Sequence, residues 1–153
     1  MQLFYIQFRM IEVKRISAED TYKVRLEVLR KNIALPYKFN GDNDENTFHL
    51  GVFKDDTLIA VSSFMKSVHK DLEGSQYQLR GMATLNEFQG FGAGKLMIQE
   101  AILILTELEV KFLWCNARIV AVKFYEKQGL AIMGTSFDVP KIGEHYVMFK
   151  EIA

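Results

Sequence analysis

Apolar and polar residues alternate along several short segments of this chain, and these segments predict its strands. The first segment is Phe8 to Ile16, which is rich in β-branched and aromatic residues. The later strands are predicted over residues 48–54, 57–66, 76–85, 111–116, 130–139 and 146–152. Only Asp55 and Asp56 separate two of them, so we expect a tight hairpin there.

Helices are predicted where the chain shows start and stop signals instead of alternation. Ser17 has the place of an N-cap with Asp20 at the capping-box position, and the helix that follows should run to about Lys31. Gly129 has the place of a left-handed cap at the end of a later helix. The other helices are predicted over residues 94–108 and 119–128, and a loop over residues 32–46.

The predicted order β-α-β-β-β-α-β-α-β-β is typical of an α/β domain with a mixed sheet and helices on its faces. The length of 153 residues suits one domain with a substantial core. We therefore predict a single domain over residues 1–153. Met10 begins a sequence that could itself start a domain, so residues 1–9 stay open to interpretation as an extension.

Charge and composition limit the partners of this domain. The 19 basic and 19 acidic residues cancel, so we expect neither nucleic acid nor an anionic membrane as a partner. Cys115 is the single cysteine, which rules out an intrachain disulfide and fits a cytoplasmic location. The apolar run over residues 96–105 is far shorter than the roughly 20 residues that span a bilayer.

The segment from Met82 to Lys95 gives the strongest chemical signal. A predicted strand ends there, and Gly90, Gly92 and Gly94 stand at alternating positions before a long apolar helix. A helix N-terminus offers unpaired backbone N–H groups and a partial positive charge. Glycines let that backbone approach a phosphate closely, and Lys95 adds a full positive charge. The segment therefore predicts a phosphate-binding site.

Two common phosphate-binding motifs do not fit this segment. The P-loop pattern requires a glycine where this chain has Gln89, and Ser or Thr where it has Leu96. The dinucleotide pattern, started from Gly90 and Gly92, requires a third glycine at Lys95 and normally lies in a first βαβ unit. A magnesium-nucleotide site and a dinucleotide site are both disfavoured.

The glycine segment instead resembles a known family motif. Gln89, Gly92 and Gly94 have the spacing Gln-x-x-Gly-x-Gly at a strand–helix junction, as in the pyrophosphate-binding motif of the GNAT superfamily of N-acetyltransferases. The predicted element order also matches that family, so the resemblance covers the chain from about Met10 to its end. The stretch Arg80-Gly81-Met82-Ala83-Thr84 resembles the central strand of that family. A downstream element of the family is resembled by Asn116 together with Phe124-Tyr125 and Gly129-Leu130.

The resemblance implies a fold and a set of ligand contacts. The fold is the GNAT acyltransferase fold, a single domain with a mixed, mostly antiparallel sheet flanked by helices. The acyl donor is acetyl-coenzyme A, and no metal takes part. Backbone atoms of the central strand should pair with the pantetheine arm, and backbone amides of the glycine segment should bind the pyrophosphate. These residues are Met82, Ala83 and Thr84, and then Gln89, Gly90, Phe91, Gly92, Ala93, Gly94 and Lys95.

The resemblance also assigns roles to two downstream residues. Asn116 should lie beside the pantetheine, and Tyr125 should contact the thioester sulfur and donate a proton to the leaving thiolate. The acceptor should attack directly, without a covalent enzyme intermediate, while a backbone N–H near Thr84 stabilises the oxyanion. Each residue also has a structural interpretation, Tyr125 as a packed aromatic residue beside Phe124 and Asn116 as a turn residue.

The proton acceptor for the attacking amine stays open among several residues. His145 stands directly before residue 146, at the start of the last predicted strand. The acidic cluster Asp42, Asp44 and Glu45 is also a candidate, although it is expected to be solvated surface, with attraction of a cationic amine as the alternative interpretation. The remaining candidates for the proton acceptor are Glu73 and Glu144. Cys115 is not one of them and is expected to be buried as a small apolar residue.

The sequence thus predicts an enzyme that transfers an acetyl group from acetyl-coenzyme A to a primary amine of a small molecule or a protein. One alternative is a non-catalytic acyl-coenzyme A-binding sensor or regulatory module, which would not need Tyr125. Another is an enzyme that moves a different acyl group, such as succinyl. Acceptor contacts are expected from residues 32–46, 68–75 and 136–144. A homodimer is compatible with the closing strands, although nothing in the sequence requires one.

Overall fold

The computed structural model describes residues 11–152 of the chain. The strands are β1 (Ile11–Ile16), β2 (Phe48–Lys54), β3 (Thr57–Lys66), β4 (Gln76–Thr84), β5 (Phe112–Arg118), β6 (Ala131–Val139) and β7 (Gly143–Glu151). The α-helices are α1 (Ala18–Val24), α2 (Ala93–Glu107) and α3 (Val122–Lys127). A π-helix (Arg25–Leu29) follows α1, and 3₁₀ turns lie at Asn86–Phe88 and Ile119–Ala121. Over residues 11–152, no helix is both long and apolar enough to cross a membrane.

The strands form one mixed, mostly antiparallel sheet in the order β1-β2-β3-β4-β5-β7-β6. β1 pairs antiparallel with β2, so that Ile11 lies opposite Lys54 and Ile16 opposite His49. β5 is parallel to β4 and antiparallel to β7, and β7 pairs antiparallel with β6. The predicted fold class and element order are therefore confirmed.

Some strand boundaries differ from the prediction. β5 continues to Arg118 and β7 begins at Gly143, because Arg118 pairs with His145 in the register of these two strands. Pairing with a neighbour thus extends both strands beyond the ends that alternation alone indicates. The first predicted strand is observed from Ile11 onward. Its earlier residues, and the extension considered for residues 1–9, lie outside the described residues.

The first helix begins where the sequence predicts and changes character before its end. The Ser17 hydroxyl accepts from the Asp20 N–H at 3.1 Å, and the Asp20 carboxylate accepts from the Ser17 N–H at 3.1 Å. This reciprocal pair is the predicted capping box. The helix does not run to Lys31, because Arg25–Leu29 widens into a π-helix and ends there. Such a turn often marks a functional or constrained site.

The described chain divides into two compact units, residues 11–63 with 81–100 and residues 64–80 with 101–152. β3, β4 and α2 each contribute residues to both units. The first unit has a core of Val24, Val61 and Ala83, against which Ile16, Val28, Leu29, Leu58 and Leu85 pack. Ala83 belongs to β4, so the strand predicted to bind pantetheine is anchored by this core.

The hairpin between β2 and β3 is a tight turn, as predicted. Asp55 and Asp56 both have positive φ, 50° and 67°, which is the signature of a type I′ turn. The Leu85 N–H donates to the Ile59 carbonyl at 2.9 Å, so the start of β3 lies beside the end of β4. The hairpin is thereby placed near the segment that follows β4.

In the second unit, the end of α3 is fixed by a Schellman motif. Gly129 has φ of +93°, and its N–H donates to the Glu126 carbonyl at 3.0 Å. The Leu130 N–H donates to the Tyr125 carbonyl, also at 3.0 Å. The predicted cap at Gly129 is confirmed, and it holds the backbone of Tyr125.

Candidate active site

The segment after β4 forms a loop with two glycines in the left-handed conformation. Gly90 and Gly92 have φ of +87° and +79°. A Cβ placed on either glycine would meet no atom within 4 Å, so conformation, and not crowding, requires glycine at both positions. Gly94 differs, because it lies inside the first turn of α2. The space beside Gly90 and Gly92 is open to a ligand.

The backbone amides from Gly90 to Lys95 have no acceptor within the described chain. The Leu96 N–H donates to the Gly92 carbonyl at 3.1 Å, and among residues 11–152 none of those earlier amides donates to another group. Unpaired N–H groups at the positive end of a helix attract anions. The glycine segment therefore has the local structure that a phosphate site needs.

Gln89 supports the turn that precedes these amides. Its own N–H donates to the Asn86 carbonyl at 3.4 Å, so the unpaired amides begin at Gly90 and not at Gln89. Its side-chain Nε2 lies 3.3 Å from Asn86 Oδ1 and 3.5 Å from the Thr84 carbonyl. On β4 itself, Met82 and Thr84 are half-buried, whereas Ala83 is buried.

Lys54 lies close to the glycine loop, although the sequence did not single it out. Its Nζ is 4.5 Å from the centroid of the Phe91 ring and 5.7 Å from that of Phe88. Phe91 stands between Gly90 and Gly92. The signal that could have identified Lys54 is its place directly before a two-residue hairpin whose second strand begins beside the end of β4.

Tyr125 lies on α3 in the second unit and is only 8% exposed. Its ring packs edge-on against Phe124, with the two centroids 5.1 Å apart. Burial, and to a lesser extent the charge that Cys115 carries when ionised, raises the pKa of the Tyr125 hydroxyl well above its ordinary value of 10.0. The phenol is therefore protonated at physiological pH, which is the state that a proton donor needs.

Cys115 and Asn116 are neighbours on β5 and differ in exposure. Cys115 is buried, as predicted, and burial raises the pKa of its thiol from 9.0 to about 12. The thiolate that nucleophilic chemistry requires is therefore scarce near neutral pH. Asn116 is exposed and lies opposite Val147 of β7. Of the two, Asn116 has the side chain that a ligand can reach.

Asp42 corrects the expectation of a solvated acidic loop. It is 5% exposed, and its two carboxylate oxygens accept from Nη1 and Nη2 of Arg25 at 2.8 and 2.9 Å. Burial alone would raise the pKa of Asp42, but hydrogen bonds from Arg25 and the Phe39 N–H, together with the positive charge of Arg25, outweigh it and hold the pKa below the ordinary 3.8. The interpretation was wrong for Asp42, whereas Asp44 and Glu45 are exposed as expected.

His49 and Ser63 complete a buried network around this ion pair. Arg25 Nη2 donates to Ser63 Oγ at 2.8 Å, and Ser63 Oγ lies 2.7 Å from His49 Nδ1. His49 Nε2 lies 2.9 Å from the Asp42 carbonyl, which can only accept. We therefore assign the ring proton to Nε2 and the Ser63 hydroxyl as donor to Nδ1. Both nitrogens are engaged, which gives His49 a structural role.

The same network packs against β4 at Gly81, which directly precedes the segment of β4 that is predicted to bind pantetheine. Gly81 has φ of +63°, and a Cβ there would lie 2.8 Å from the Phe39 ring and 3.3 Å from Arg25 Nε. Only glycine satisfies both the backbone conformation and this close approach. Arg25 and Phe39 thus hold part of the 32–46 loop against the central strand.

His145 has surroundings that distinguish it from the other candidate proton acceptors. It is 5% exposed, and its Nδ1 lies 2.8 Å from the Gly143 carbonyl. That carbonyl can only accept, so we assign the proton to Nδ1 and leave the lone pair on Nε2. In the β5–β7 register His145 lies opposite Arg118, on the same face of the sheet as Asn116. The exposed candidates are Glu73, Glu144, Asp44 and Glu45.

Comparison with known proteins identifies the family. The Acetyltransferase (GNAT) family matches residues 11–130. A Bacillus subtilis (strain 168) protein named uncharacterized N-acetyltransferase YitI is 44% identical over 145 residues, which are 94% of this chain and 97% of that protein. FeeM, an N-acyl amino acid synthase from uncultured soil microbes, has a TM-score of 0.79 at 10% identity, over 93% of this chain and 91% of its own. PaiA N-acetyltransferase from Thermoplasma acidophilum, solved in complex with coenzyme A, has a TM-score of 0.67 at 18% identity, over 92% and 98%.

The fold and the family match define an acyltransferase of the kind that takes its acyl group from acyl-coenzyme A. The chain belongs to the GNAT family of acetyltransferases. The family resemblance and the prediction of an enzyme are thus confirmed, which disfavours the alternative of a non-catalytic module.

Proposed function

We propose that this chain transfers an acetyl group from acetyl-coenzyme A to a primary amine on a small molecule or a protein. The observation that supports the proposal most directly is the row of amides from Gly90 to Lys95, which has no acceptor within the described chain. Membership of the GNAT family supports acyl-coenzyme A as the donor. The N-acetyltransferase name of the relative supports nitrogen as the acceptor atom.

In this proposal, backbone atoms hold most of the donor. The amides from Gly90 to Lys95 bind the pyrophosphate, and their arrangement requires the left-handed φ of Gly90 and Gly92. The Gln89 N–H already donates to the Asn86 carbonyl, so in this proposal Gln89 supports the turn and does not bind the pyrophosphate through its amide. The pantetheine arm pairs with the backbone of Met82, Ala83 and Thr84 and lies beside Asn116.

The chemistry proposed is direct attack of the neutral amine on the thioester carbon. The nitrogen–carbon bond forms, the carbon–sulfur bond breaks, and Tyr125 gives its phenolic proton to the departing sulfur. The amine nitrogen loses one proton to a base, directly or through water, and an equivalent proton then restores the phenol. A backbone N–H near Thr84 stabilises the developing oxyanion. Burial raises the pKa of the Tyr125 hydroxyl, so the phenol is protonated near neutral pH and has a proton to give.

We expect acetyl-coenzyme A and coenzyme A to raise the melting temperature of the protein, and NAD and ATP to leave it unchanged. A ligand that binds only the folded state stabilises it by about 2.7 kcal/mol at a hundredfold excess over its Kd. Differential scanning fluorimetry with each ligand alone measures the shift. No shift with the coenzyme A ligands, or a larger shift with ATP or NAD, would overturn the assignment of the phosphate site.

A pair of glycine variants makes this experiment specific to the loop. Gly92 in the loop and Gly134 in β6 have the same φ of +79°, and neither has an atom within 4 Å of a Cβ placed on it. Gly92→Val and Gly134→Val therefore impose a similar backbone strain. We expect only Gly92→Val to lose the response to coenzyme A. Equal losses in both variants would point to general destabilisation instead.

A further inference from the structure

Lys54 ends β2, and its ammonium group is held in place by aromatic rings. Its Nζ lies 4.5 Å from the centroid of the Phe91 ring and 5.7 Å from that of Phe88, within the range of cation–π attraction. The Lys54 side chain is half-buried, whereas Lys95, the cation that the sequence singled out, is exposed. Lys54 is thus the more firmly positioned of the two charges.

No carboxylate of the described chain neutralises this ammonium. Within residues 11–152 Lys54 forms no ion pair, whereas Lys14 pairs with Glu12 at 3.5 Å. Lys14 offers a useful comparison, because its Nζ also lies over a ring, that of Phe53, at 5.3 Å. Lys14 has a carboxylate partner, and Lys54 has only ring faces.

The ring that holds Lys54 is part of the glycine loop. Phe91 stands between the two left-handed glycines, and its own amide is one of those without an acceptor. Its side chain is 52% exposed, so the ammonium is held at an open surface of the loop. A full positive charge therefore lies against the side chain of a loop residue, and the backbone of the same loop offers neutral N–H donors. A phosphate group uses both kinds of donor.

We propose that Lys54 is a donor-binding residue that pairs with a phosphate group of acetyl-coenzyme A. This inference rests on the proposed function, which places the pyrophosphate at the amides of the loop. Coenzyme A carries both a pyrophosphate and a 3′-phosphate, and either offers the oxygen atoms that an ammonium binds. The cation–π contact positions the lysine before the ligand arrives, which reduces the entropy lost on binding.

The test compares Lys54→Met with Lys14→Met by isothermal titration calorimetry. Methionine keeps an unbranched apolar side chain over the ring and removes the charge. We expect Lys54→Met to raise the Kd of acetyl-coenzyme A roughly tenfold, the size of one charge-assisted hydrogen bond. Lys14→Met should bind like the parent protein, and Lys54→Arg should retain most of the affinity. Pantetheine, which has no phosphate, should not distinguish Lys54→Met from the parent.

A second ligand shows which phosphate is bound. If the Lys54→Met defect persists with 3′-dephospho-coenzyme A, Lys54 binds the pyrophosphate; if the defect disappears, it binds the 3′-phosphate. An unchanged Kd for acetyl-coenzyme A in Lys54→Met, with a parent protein that binds this ligand, would overturn the role of Lys54. Failure of the parent protein itself to bind acetyl-coenzyme A would instead overturn the proposed function.

Discussion

Replacement of Tyr125 by phenylalanine should lower kcat for acetyl transfer by about 10²- to 10⁴-fold, the range that a general acid contributes. The variant keeps the buried ring and its packing against Phe124, and loses only the hydroxyl. Burial keeps that hydroxyl protonated, so its loss removes a proton donor and not a charge. Because the proposed phosphate contacts lie elsewhere, the Kd of acetyl-coenzyme A should change little.

The measurement is steady-state kinetics with an amine found by screening, together with calorimetric binding of acetyl-coenzyme A. Tyr146→Phe is the matched control, since Tyr146 is a half-buried tyrosine on β7 that has no proposed role. It should retain the activity of the parent enzyme. If Tyr125→Phe also retained the parent kcat, the phenol would not be the acid, and the structural interpretation of Tyr125 would stand.

Asp42→Asn should lower the free energy of unfolding by about 3–5 kcal/mol, as expected when one partner of a buried ion pair is removed. Arg25 is fully buried at 0% exposure, and the variant would leave its guanidinium without a counter-charge. Urea denaturation near neutral pH measures the loss. Asp44→Asn, an exposed neighbour in the same loop, should change stability by less than about 0.5 kcal/mol. Similar values for the two variants would contradict the importance of the pair.

The same variant has a second readout in its pH dependence. The pKa of Asp42 in the folded chain lies below its ordinary value of 3.8, so the unfolded chain binds this proton more readily. The stabilisation is therefore complete above pH 3.8 and is lost as the pH falls through the lower, folded value. We expect the stability difference between the parent protein and Asp42→Asn to narrow in that acid range. A difference that stays constant with pH would show that the carboxylate charge is not its source.

The elements that could be predicted from the sequence are those with short-range signals. The capping box of Ser17 and Asp20 joins residues three positions apart, and the Asp55-Asp56 turn and the Gly129 cap are similarly local. Each signal depends on backbone geometry that a few residues determine by themselves. The glycine loop belongs to the same group, since a left-handed φ favours glycine at Gly90 and Gly92.

The contacts that could not be predicted join residues distant in sequence. Arg25 and Asp42 are 17 positions apart, and both are of types that are mostly exposed in proteins. Their burial follows from the packing of the π-helix and the 32–46 loop against Gly81 of β4. Lys54 stands directly before a predicted hairpin, but that position points to Phe91 only once β3 is known to pair beside β4. The burial of Tyr125 likewise depends on packing that no sequence motif determines.

The Schellman motif at Gly129 has a consequence for how this protein would appear in a mutational survey. α3 is six residues long, too short to be stable alone, so the motif must help to orient Tyr125. A Cβ at Gly129 would lie 2.6 Å from Lys150 Nζ and would also strain the φ of +93°. A survey scored on activity alone would therefore rank Gly129 with the catalytic residues. Scoring cellular abundance in parallel would separate a position that shapes the enzyme from one that performs its chemistry.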